Sequence, residues 1–169
     1  MKINTEELLK NINKVKAGDR VFLSGTLYTA RDAAHKRIVE NKKSPINLKN
    51  ASIYYCGPAP KKPGQIIGAC GPTTSSRMDE FTPKMLGLGV KFLIGKGKRS
   101  KEVVEAIKKN KAVYFIATGG VAALLSKMVV KAEVVAFKEF GPEAIYKLEV
   151  KDMPLIVAVD SRGNDVFSN

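Results

Sequence analysis

The sequence predicts an α/β protein, in which strands and helices alternate along the chain and a run of strands follows near its end. Four short apolar segments each end in a loop of Gly, Thr, Ser or Lys and lead into a segment with apolar residues at helical spacing. The part of the chain after residue 131 then contains three β-rich segments separated by turn sequences. Loops that follow strands gather at one edge of a sheet, where ligands bind, so we expect a binding site there.

The size and hydrophobic content predict one domain that covers residues 1–169. The chain has 169 residues, of which 44% are hydrophobic, enough for a real core. No apolar run is long enough to span a bilayer, and Met1 to Lys10 is polar rather than signal-like. Cys56 and Cys70 form no CxxC or cluster motif, so we expect no metal ligand in this chain and a reducing, cytoplasmic location without membrane association.

The formal net charge of +13 first suggests nucleic-acid binding. The basic residues are nevertheless spread as singles and pairs, no RNA-binding signature with interleaved aromatic residues is present, and Trp is absent. The same charge suits a small polyanionic substrate, an acidic partner subunit or a lysine-rich solvated surface. A basic RNA-binding module therefore remains the alternative hypothesis from a different functional class.

Periodicity and turn residues predict the elements of the first half of the chain. Helices are predicted at Thr5 to Val15, with Thr5 as N-cap, and at Ala30 to Asn41, with Thr29 and Asp32 as a capping box. Strands are predicted at Arg20 to Ser24, Ser52 to Cys56 and Gln65 to Ile67. A loop is predicted at Pro45 to Asn50, and a Pro/Gly-rich connector at Gly57 to Gly64.

The same reasoning covers the second half of the chain. Helices are predicted at Met78 to Leu88, after a Ser76/Asp79 capping box, at Ser100 to Asn110, with Ser100 as N-cap, and at Val121 to Lys127, after Thr118-Gly119-Gly120. Strands are predicted at Val90 to Ile94, Lys111 to Ala117, Ala132 to Phe137, Ala144 to Val150 and Leu155 to Val159. Turns are predicted at Phe140 to Glu143 and Asp160 to Asn164.

The stretch from Gly68 to Asp79 is the strongest candidate for a binding loop. It places three hydroxyls, those of Thr73, Thr74 and Ser75, and the guanidinium of Arg77 next to a predicted helix start. The free N–H groups at a helix N-terminus attract anions, so this stretch predicts a carboxylate or phosphate site. The alternative is that the hydroxyls only cap the helix.

Two further cations follow predicted strands. Arg31 lies in the first turn of a helix, where a cation opposes the helix dipole and suggests a bound anion. His35 lies one turn later on the same face, and Lys96 lies in a Gly-Lys-Gly loop. The alternatives are surface cations for Arg31 and Lys96, and a contact to a neighbouring carbonyl for His35. Three cations at such junctions predict a ligand with two carboxylates, held by charge-assisted hydrogen bonds.

The runs GTLYTARDAAHKR, GACGPTTSSRMD, IGKG and FGPEAIYKLEVKDMPLIVAVD resemble the beta subunit of class I, iron–sulfur-dependent fumarate hydratase. They are also similar to the beta subunit of L(+)-tartrate dehydratase, and the resemblance covers nearly the whole chain. It implies a swivelling β/β/α fold, with a mixed sheet or small barrel flanked by helices. It further implies that substrate is bound by Arg31, Thr73, Arg77 and Lys96. To these we add the neighbours Thr74 and Ser75, with His35 and Asp79 as further candidates.

The resemblance also implies the chemistry: reversible dehydration of (S)-malate to fumarate, a reaction of the tricarboxylic acid cycle. The iron of a [4Fe-4S] cluster acts as Lewis acid on the leaving hydroxyl, and the family holds that cluster through three cysteines of the alpha subunit rather than in this chain. Thr73 is the candidate catalytic base. A hydroxyl is a poor base unless cations lower its pKa, so a purely substrate-binding Thr73 stays open as well.

The resemblance implies a cluster-bearing alpha subunit as partner and no activity without it. We expect a heterotetramer, or a heteromer that homodimerises, acting on a small dicarboxylate rather than on nucleic acid. An L(+)-tartrate dehydratase beta subunit is the first alternative, because the same motif residues serve both substrates. A stand-alone dicarboxylate-binding domain is a further one.

Overall fold

The computed structural model describes residues 1–117 and 122–168. The strands in these ranges are β1 (Lys2–Asn4), β2 (Arg20–Thr29), β3 (Ser52–Tyr54), β4 (Phe92–Gly95), β5 (Val113–Ile116), β6 (Val129–Ala136) and β7 (Ile145–Val159). The α-helices are α1 (Thr5–Lys10), α2 (Asp32–Asn41), α3 (Thr82–Gly87), α4 (Lys101–Lys109) and α5 (Ala122–Lys127). Short 3₁₀ helices occupy Ile12–Lys14, Ser75–Met78 and Lys138–Glu143.

The sheet closes on itself into a five-stranded barrel. Strands β2, β3, β4 and β5 are parallel neighbours in that order. Strand β7 runs antiparallel to them and pairs with β5 through one edge and with β2 through the other. Strands β1 and β6 extend the sheet beyond β2 and β7. The small barrel flanked by helices that the family resemblance implies is therefore confirmed, as is the predicted α/β class.

The two strands that close the barrel are longer than the sequence predicts. Strand β2 continues past Gly25, which has a positive φ of 121° and lies at a register shift against β7. Strand β7 replaces two predicted strands, Ala144 to Val150 and Leu155 to Val159. Its bend at Asp152 (φ 50°) is held because the Asp152 N–H donates to Ser24 Oγ at 3.0 Å. Pairing with β2 on both sides of that bend keeps β7 continuous.

Alternate residues of the parallel strands point into two different cores. Inside the barrel lie the buried side chains Tyr54, Phe92, Ile94, Val113, Phe115, Leu148 and Val157. Outside it, under the helices, lie Ile53, Tyr55, Leu93, Tyr114 and Ala158, packed against Met78, Met85, Val103 and Ile107. Strands β3 to β5 are thus buried on both faces, as is typical of parallel strands covered by helices.

Helix α4 confirms its predicted start, whereas α1 begins one residue earlier than expected. The Val103 N–H donates to the Ser100 side chain at 3.3 Å. At α1 the N-cap is Asn4 instead of Thr5. Asn4 Oδ1 accepts the Glu7 N–H at 2.8 Å, and the Glu7 carboxylate accepts the Asn4 N–H at 3.2 Å. This reciprocal pair is a capping box.

The two predicted capping boxes, Thr29/Asp32 and Ser76/Asp79, are wrong, because Thr29 and Asp79 have partners elsewhere. Thr29 belongs to β2, is buried, and accepts the Tyr146 N–H at 3.0 Å. Asp79 faces Arg99 and α4 instead of Ser76. As a result α2 begins at Asp32, and the predicted helix Met78 to Leu88 is split into a 3₁₀ helix and α3.

The segment Gln65 to Ile67 is not a strand but part of the long loop between β3 and the 3₁₀ helix Ser75–Met78. Ile67 is apolar because it is buried, 6% exposed, against the barrel interior. The predicted loop Thr118 to Gly120 and the helix start at Val121 lie outside the described residues. No helix of the described ranges is long and apolar enough to cross a membrane.

Truncating a leucine inside the barrel should destabilise the fold far more than truncating one on its surface. Leu148 is fully buried, while Leu124 on α5 is 47% exposed. We expect Leu148→Ala to lower the free energy of unfolding by about 2–5 kcal/mol and Leu124→Ala to change it by about 0.5 kcal/mol or less. Urea unfolding of the two variants measures both values. Equal, small losses would contradict the position of Leu148 in the core.

Candidate anion-binding site

The carboxyl ends of β2, β3 and β4 lie side by side, and the loops that follow them carry the predicted cations. Arg31 follows β2, and Lys96 follows β4 directly. Arg77 belongs to the loop after β3, which returns to its strand because the Thr73 N–H donates to the Tyr55 carbonyl at 2.6 Å. Since the strand order is β2-β3-β4, the three cations come from adjacent loops at one end of the barrel.

Ser75 joins the second and third of these loops. Thr74 and Lys96 form a parallel bridge, and the Ser75 N–H donates to the Lys96 carbonyl at 3.0 Å. In return, the Lys96 N–H donates to Ser75 Oγ at 3.1 Å. A side chain at Gly95 would place its Cβ only 1.9 Å from Ser75 Oγ, so glycine is needed there. Ser75 itself is fully buried, and its hydroxyl therefore lies between the loops.

Arg31 and Arg77 lie on either side of one carboxylate, that of Asp32. Arg77 Nη2 donates to Asp32 Oδ2 at 2.9 Å, and Arg31 Nε lies 4.0 Å from the same oxygen. Arg31 Nε is buried without a hydrogen-bond partner among the described residues. The side chains of Arg77 and Asp32 are 51% and 35% exposed, so their ion pair stabilises the fold by no more than about 1 kcal/mol. An incoming carboxylate can therefore replace Asp32 at little energetic cost.

Side chains, not a helix terminus, supply the positive potential of this cluster. The predicted helix start at Ser76 is replaced by the 3₁₀ helix Ser75–Met78. At the N-terminus of α2 the Ala33 N–H donates to Glu143 Oε1 at 3.3 Å, so an internal carboxylate already occupies that end. Lys96 and Thr74 are exposed and Thr73 is half-buried, which leaves their side chains open to a ligand.

A buried guanidinium, that of Arg99, lies beneath the cluster. Its side chain is 0% exposed. Nε donates to Asp79 Oδ1 at 2.7 Å, Nη2 donates to Thr82 Oγ1 at 2.7 Å, and Nη1 donates to the Tyr55 hydroxyl at 3.2 Å. The guanidinium carbon lies 5.2 and 4.8 Å from the ring centres of Tyr55 and Tyr114. Burial alone would lower the pKa of Arg99, but Tyr55 and the Asp79 carboxylate outweigh it and raise that pKa.

His35 also lies beneath the cluster, only 1% exposed. Its Nδ1 is 2.7 Å from the Arg31 carbonyl, and its ring packs between Tyr55 and Phe81 at centroid distances of 5.5 and 6.1 Å. Burial lowers the pKa of His35 to about 4, so the imidazole is neutral at pH 7 and Nδ1 donates to the carbonyl. His35 therefore makes the contact to a neighbouring carbonyl that the sequence offers as the alternative to a ligand-binding role.

The two cysteines lie together in the barrel interior. Cys56 and Cys70 are buried, with their sulfur atoms 2.8 Å apart. The hydrogen bond with Cys70, together with burial, raises the pKa of Cys56. An iron–sulfur cluster needs three or four thiolate or imidazole ligands. No group of three or more His, Cys, Asp or Glu side chains within residues 1–117 and 122–168 could hold a metal ion, so this donor set does not fit a cluster.

Two grooves, of about 450 and 600 Å³, run along the loop of residues 58–69. Their walls include Pro58, Pro60, Ile66 and Ile67, but not Arg31, Arg77 or Lys96. A dicarboxylate is bound best by several charge-assisted donors. The first groove has one lysine, Lys61, together with Glu133, and the second has Lys62 and Lys127 but no arginine. We therefore assign the candidate anion site to the cation cluster, which is an open surface on this chain.

Sequence reasoning missed three residues of the site region, Asp32, Arg99 and Tyr114. The local pattern assigns Asp32 to a helix cap, and the adjacent Arg31 is the one signal in the sequence for a charge pair. Arg99 and Tyr114 carry no local signal, since their partners lie on other elements. A basic residue directly before the N-cap Ser100 was the one available indication for Arg99.

The chain matches the family described as Fumarase C-terminus over residues 1–169. It is 41% identical over 168 residues to a protein of Methanocaldococcus jannaschii named L(+)-tartrate dehydratase subunit beta, covering 94% of this chain and 86% of that protein. It is 39% identical over 169 residues to fumarate hydratase 2 of Leishmania major, covering 96% of this chain but 30% of that protein. It is 37% identical to the aerobic class I fumarate hydratase of Escherichia coli, of which it spans 31%.

The pH dependence of stability tests the burial of His35. The folded protein lowers its pKa to about 4, whereas an unfolded chain has an ordinary His pKa of about 6.5. Between these values the unfolded state binds a proton that the folded state does not. Stability therefore falls as the pH decreases from about 6.5 to about 4, by roughly 2 kcal/mol between pH 7 and pH 5.

Urea unfolding of the wild type and His35→Gln at both pH values measures this loss. The chain contains one His, so the carboxylates respond in both proteins and the histidine in only one. We expect the variant to lack the roughly 2 kcal/mol histidine contribution. An equal loss in both proteins would contradict a neutral, buried His35.

Proposed function

The chain belongs to the Fumarase C-terminus family, and we propose that it is the beta subunit of a two-subunit iron–sulfur hydro-lyase that interconverts (S)-malate and fumarate. The observation that carries the proposal is the convergence of Arg31, Arg77 and Lys96 on adjacent strand-end loops. In this proposal residues 1–169 act as one domain, and the chain supplies substrate binding to an active site completed by its partner.

The cation cluster suits a substrate with two carboxylates. One carboxylate replaces Asp32 on Arg77, whose guanidinium can bind it through two parallel N–H donors. Arg31, whose Nε lies 4.0 Å from the same Asp32 oxygen, adds charge to that carboxylate. Lys96 supplies the charge for the second one, with Thr74 beside it as a further hydroxyl donor. Each charge-assisted bond contributes about 1.5–3 kcal/mol net, so a few of them give micromolar to millimolar affinity.

Thr73 is the proposed proton acceptor, with substrate binding as its second possible role. The Thr73 side chain is half-buried, and its backbone is held in place because the Thr73 N–H donates to the Tyr55 carbonyl. A hydroxyl becomes a base only when its surroundings favour the alkoxide. The charges of Arg77 and Lys96 act in that direction, whereas the Asp32 carboxylate, 2.9 Å from Arg77 Nη2, opposes it. Ser75, His35 and Asp79 have supporting positions in this proposal, because their polar groups are engaged with protein partners.

In this proposal the iron–sulfur cluster belongs to the partner subunit. The cysteine pair of this chain does not fit an iron–sulfur cluster, and the chain spans less than a third of the two fumarate hydratases compared above. We propose that an alpha subunit holds the [4Fe-4S] cluster and covers the open cation site, and that this chain alone is inactive. The assembly in this proposal is a cytoplasmic heterotetramer or a heteromer that homodimerises.

L(+)-tartrate dehydration is the second candidate activity. It is favoured by the relative of which this chain covers 86%, which is named as a beta subunit of that enzyme. Tartrate and malate both carry two carboxylates, so the cation cluster serves either. Mixing the chain anaerobically with its cognate cluster-bearing subunit, and assaying malate and L-tartrate side by side, distinguishes them. Activity on neither, with binding to RNA that weakens steeply with salt, would favour the nucleic-acid alternative.

Replacing Arg77 tests the site in that assembled enzyme. We expect Arg77→Ala to lower kcat/KM by about 10²–10⁴-fold, since two charge-assisted bonds are lost, and to leave the fold intact because its ion pair is half-exposed. Arg162→Ala is the matched control. Arg162 is 47% exposed in its pair with Asp160, and it follows β7 at the opposite end of the barrel. Unchanged kinetics of Arg77→Ala would remove Arg77 from the site.

Replacing Thr73 separates its two proposed roles. A Thr73→Val variant that loses proton transfer should show a kcat lowered by at least about 10²-fold with little change in KM, whereas loss of binding alone should raise KM. Thr73→Ser retains the hydroxyl and should keep most of the activity. Steady-state kinetics of both variants with malate measure the split. Wild-type kcat and KM in Thr73→Val would exclude both roles.

A further inference from the structure

One buried side chain, Arg99, is linked to the two loops that carry Thr73, Arg77 and Lys96. It belongs to the loop of Lys96, because it lies just before the N-cap of α4. Its Nη1 donates to the Tyr55 hydroxyl, and the Tyr55 carbonyl accepts the Thr73 N–H at 2.6 Å. Arg99 is therefore hydrogen-bonded to Tyr55, the residue that also binds the backbone of Thr73.

The second link runs through Asp79, which follows the 3₁₀ helix Ser75–Met78. One carboxylate oxygen of Asp79 accepts Arg99 Nε at 2.7 Å, and the other accepts the Ser100 N–H at 2.9 Å. The carboxylate thus joins the end of the Arg77 segment to the start of α4. Thr82, the first residue of α3, accepts a third hydrogen bond from the same guanidinium.

The third link is aromatic. The Tyr114 ring packs on the Arg99 guanidinium, with the guanidinium carbon 4.8 Å from the ring centre. The Tyr114 hydroxyl lies 2.8 Å from Ser75 Oγ and 2.8 Å from the Gly97 carbonyl. It therefore contacts both the loop that carries Ser75 and the loop that carries Lys96.

We propose that Arg99 is a positioning residue of the reaction, which sets the spacing between Thr73, Arg77 and Lys96 without touching substrate. This inference rests on the function proposed above. The guanidinium is planar and directs its donors along fixed directions, here towards three separate elements. A lysine ammonium at this position keeps the charge but cannot reach three acceptors in one plane. The interaction energy of a substrate depends on such preset geometry, because a displacement of about 1 Å can lower a rate by about 10²-fold.

The test is Arg99→Lys in the assembled two-subunit enzyme, compared with Asp160→Asn. Asp160 is also buried and accepts hydrogen bonds from Ala17, Arg162 and Asn164, but it lies beyond β7 at the other end of the barrel. The control thus loses a buried carboxylate without altering the site. We expect kcat/KM of Arg99→Lys to fall by about 10–100-fold, while Asp160→Asn stays within about twofold of wild type at a comparable loss of Tm.

Amide hydrogen exchange of the chain supplies a readout that does not depend on activity. We expect exchange to accelerate at the amides of Thr73, Ser75 and Lys96, which are hydrogen-bonded across the loops, and to stay unchanged along β7. If Arg99→Lys does not fold, Tyr114→Phe keeps the buried ion pair and removes only the contacts to Ser75 and Gly97. It should accelerate exchange at Lys96 and lower kcat/KM by a smaller factor.

Two outcomes would overturn the proposal. One is kinetics of Arg99→Lys or Tyr114→Phe that match those of Asp160→Asn at equal Tm. The other is an acceleration of exchange that is uniform over the whole chain, which is what a merely structural residue produces. If the wild-type enzyme acts on neither malate nor tartrate, the proposed function fails by itself, and the exchange pattern still decides whether Arg99 sets the loop spacing.

Discussion

The closure of the barrel by β7 is the constraint on which the candidate site depends. Because β7 pairs with both β5 and β2, the parallel strands between them are fixed in order and their carboxyl ends stay at one end. Loops that are far apart in the sequence are neighbours there, so Arg31, Arg77 and Lys96 lie at the same end of the barrel. In an open sheet the same strand ends would form a crevice only where the strand order reverses; in the barrel adjacent loops suffice.

The site has two electrostatic layers with different physical behaviour. In the outer layer the Arg77–Asp32 pair is half-exposed, contributes little to stability, and can be exchanged for a ligand carboxylate. In the inner layer the Arg99–Asp79 pair is shielded from water. A buried ion pair is often no more stabilising than apolar residues of the same volume, because desolvation offsets the attraction. Its hydrogen bonds to fixed acceptors do, however, specify one geometry for the loops above it.

The sequence predicted the elements whose signals are local and missed those decided by distant contacts. The Ser100 cap, the strands around Phe92 and Tyr114, and the cations at strand ends all followed from spacing and residue type. Thr29 and Asp79 looked like helix caps, but β7 and Arg99 bind them, and no local pattern reveals those partners. Barrel closure pairs β2 with β7, which are far apart in the sequence. Periodicity reports only local structure and did not predict this closure, whereas the family resemblance implied it. The role of each site residue is likewise a prediction from the family resemblance, because the geometry does not by itself identify the proton acceptor.

The most direct test of the central claim is the crystal structure of the assembled two-subunit protein with malate bound. One malate should lie at the barrel end with a carboxylate on Arg77 in place of Asp32, its other carboxylate near Lys96, and Thr73 beside its carbon chain. Malate bound in the grooves along residues 58–69, with Arg31, Arg77 and Lys96 all facing solvent, would contradict the convergence of these cations on a dicarboxylate.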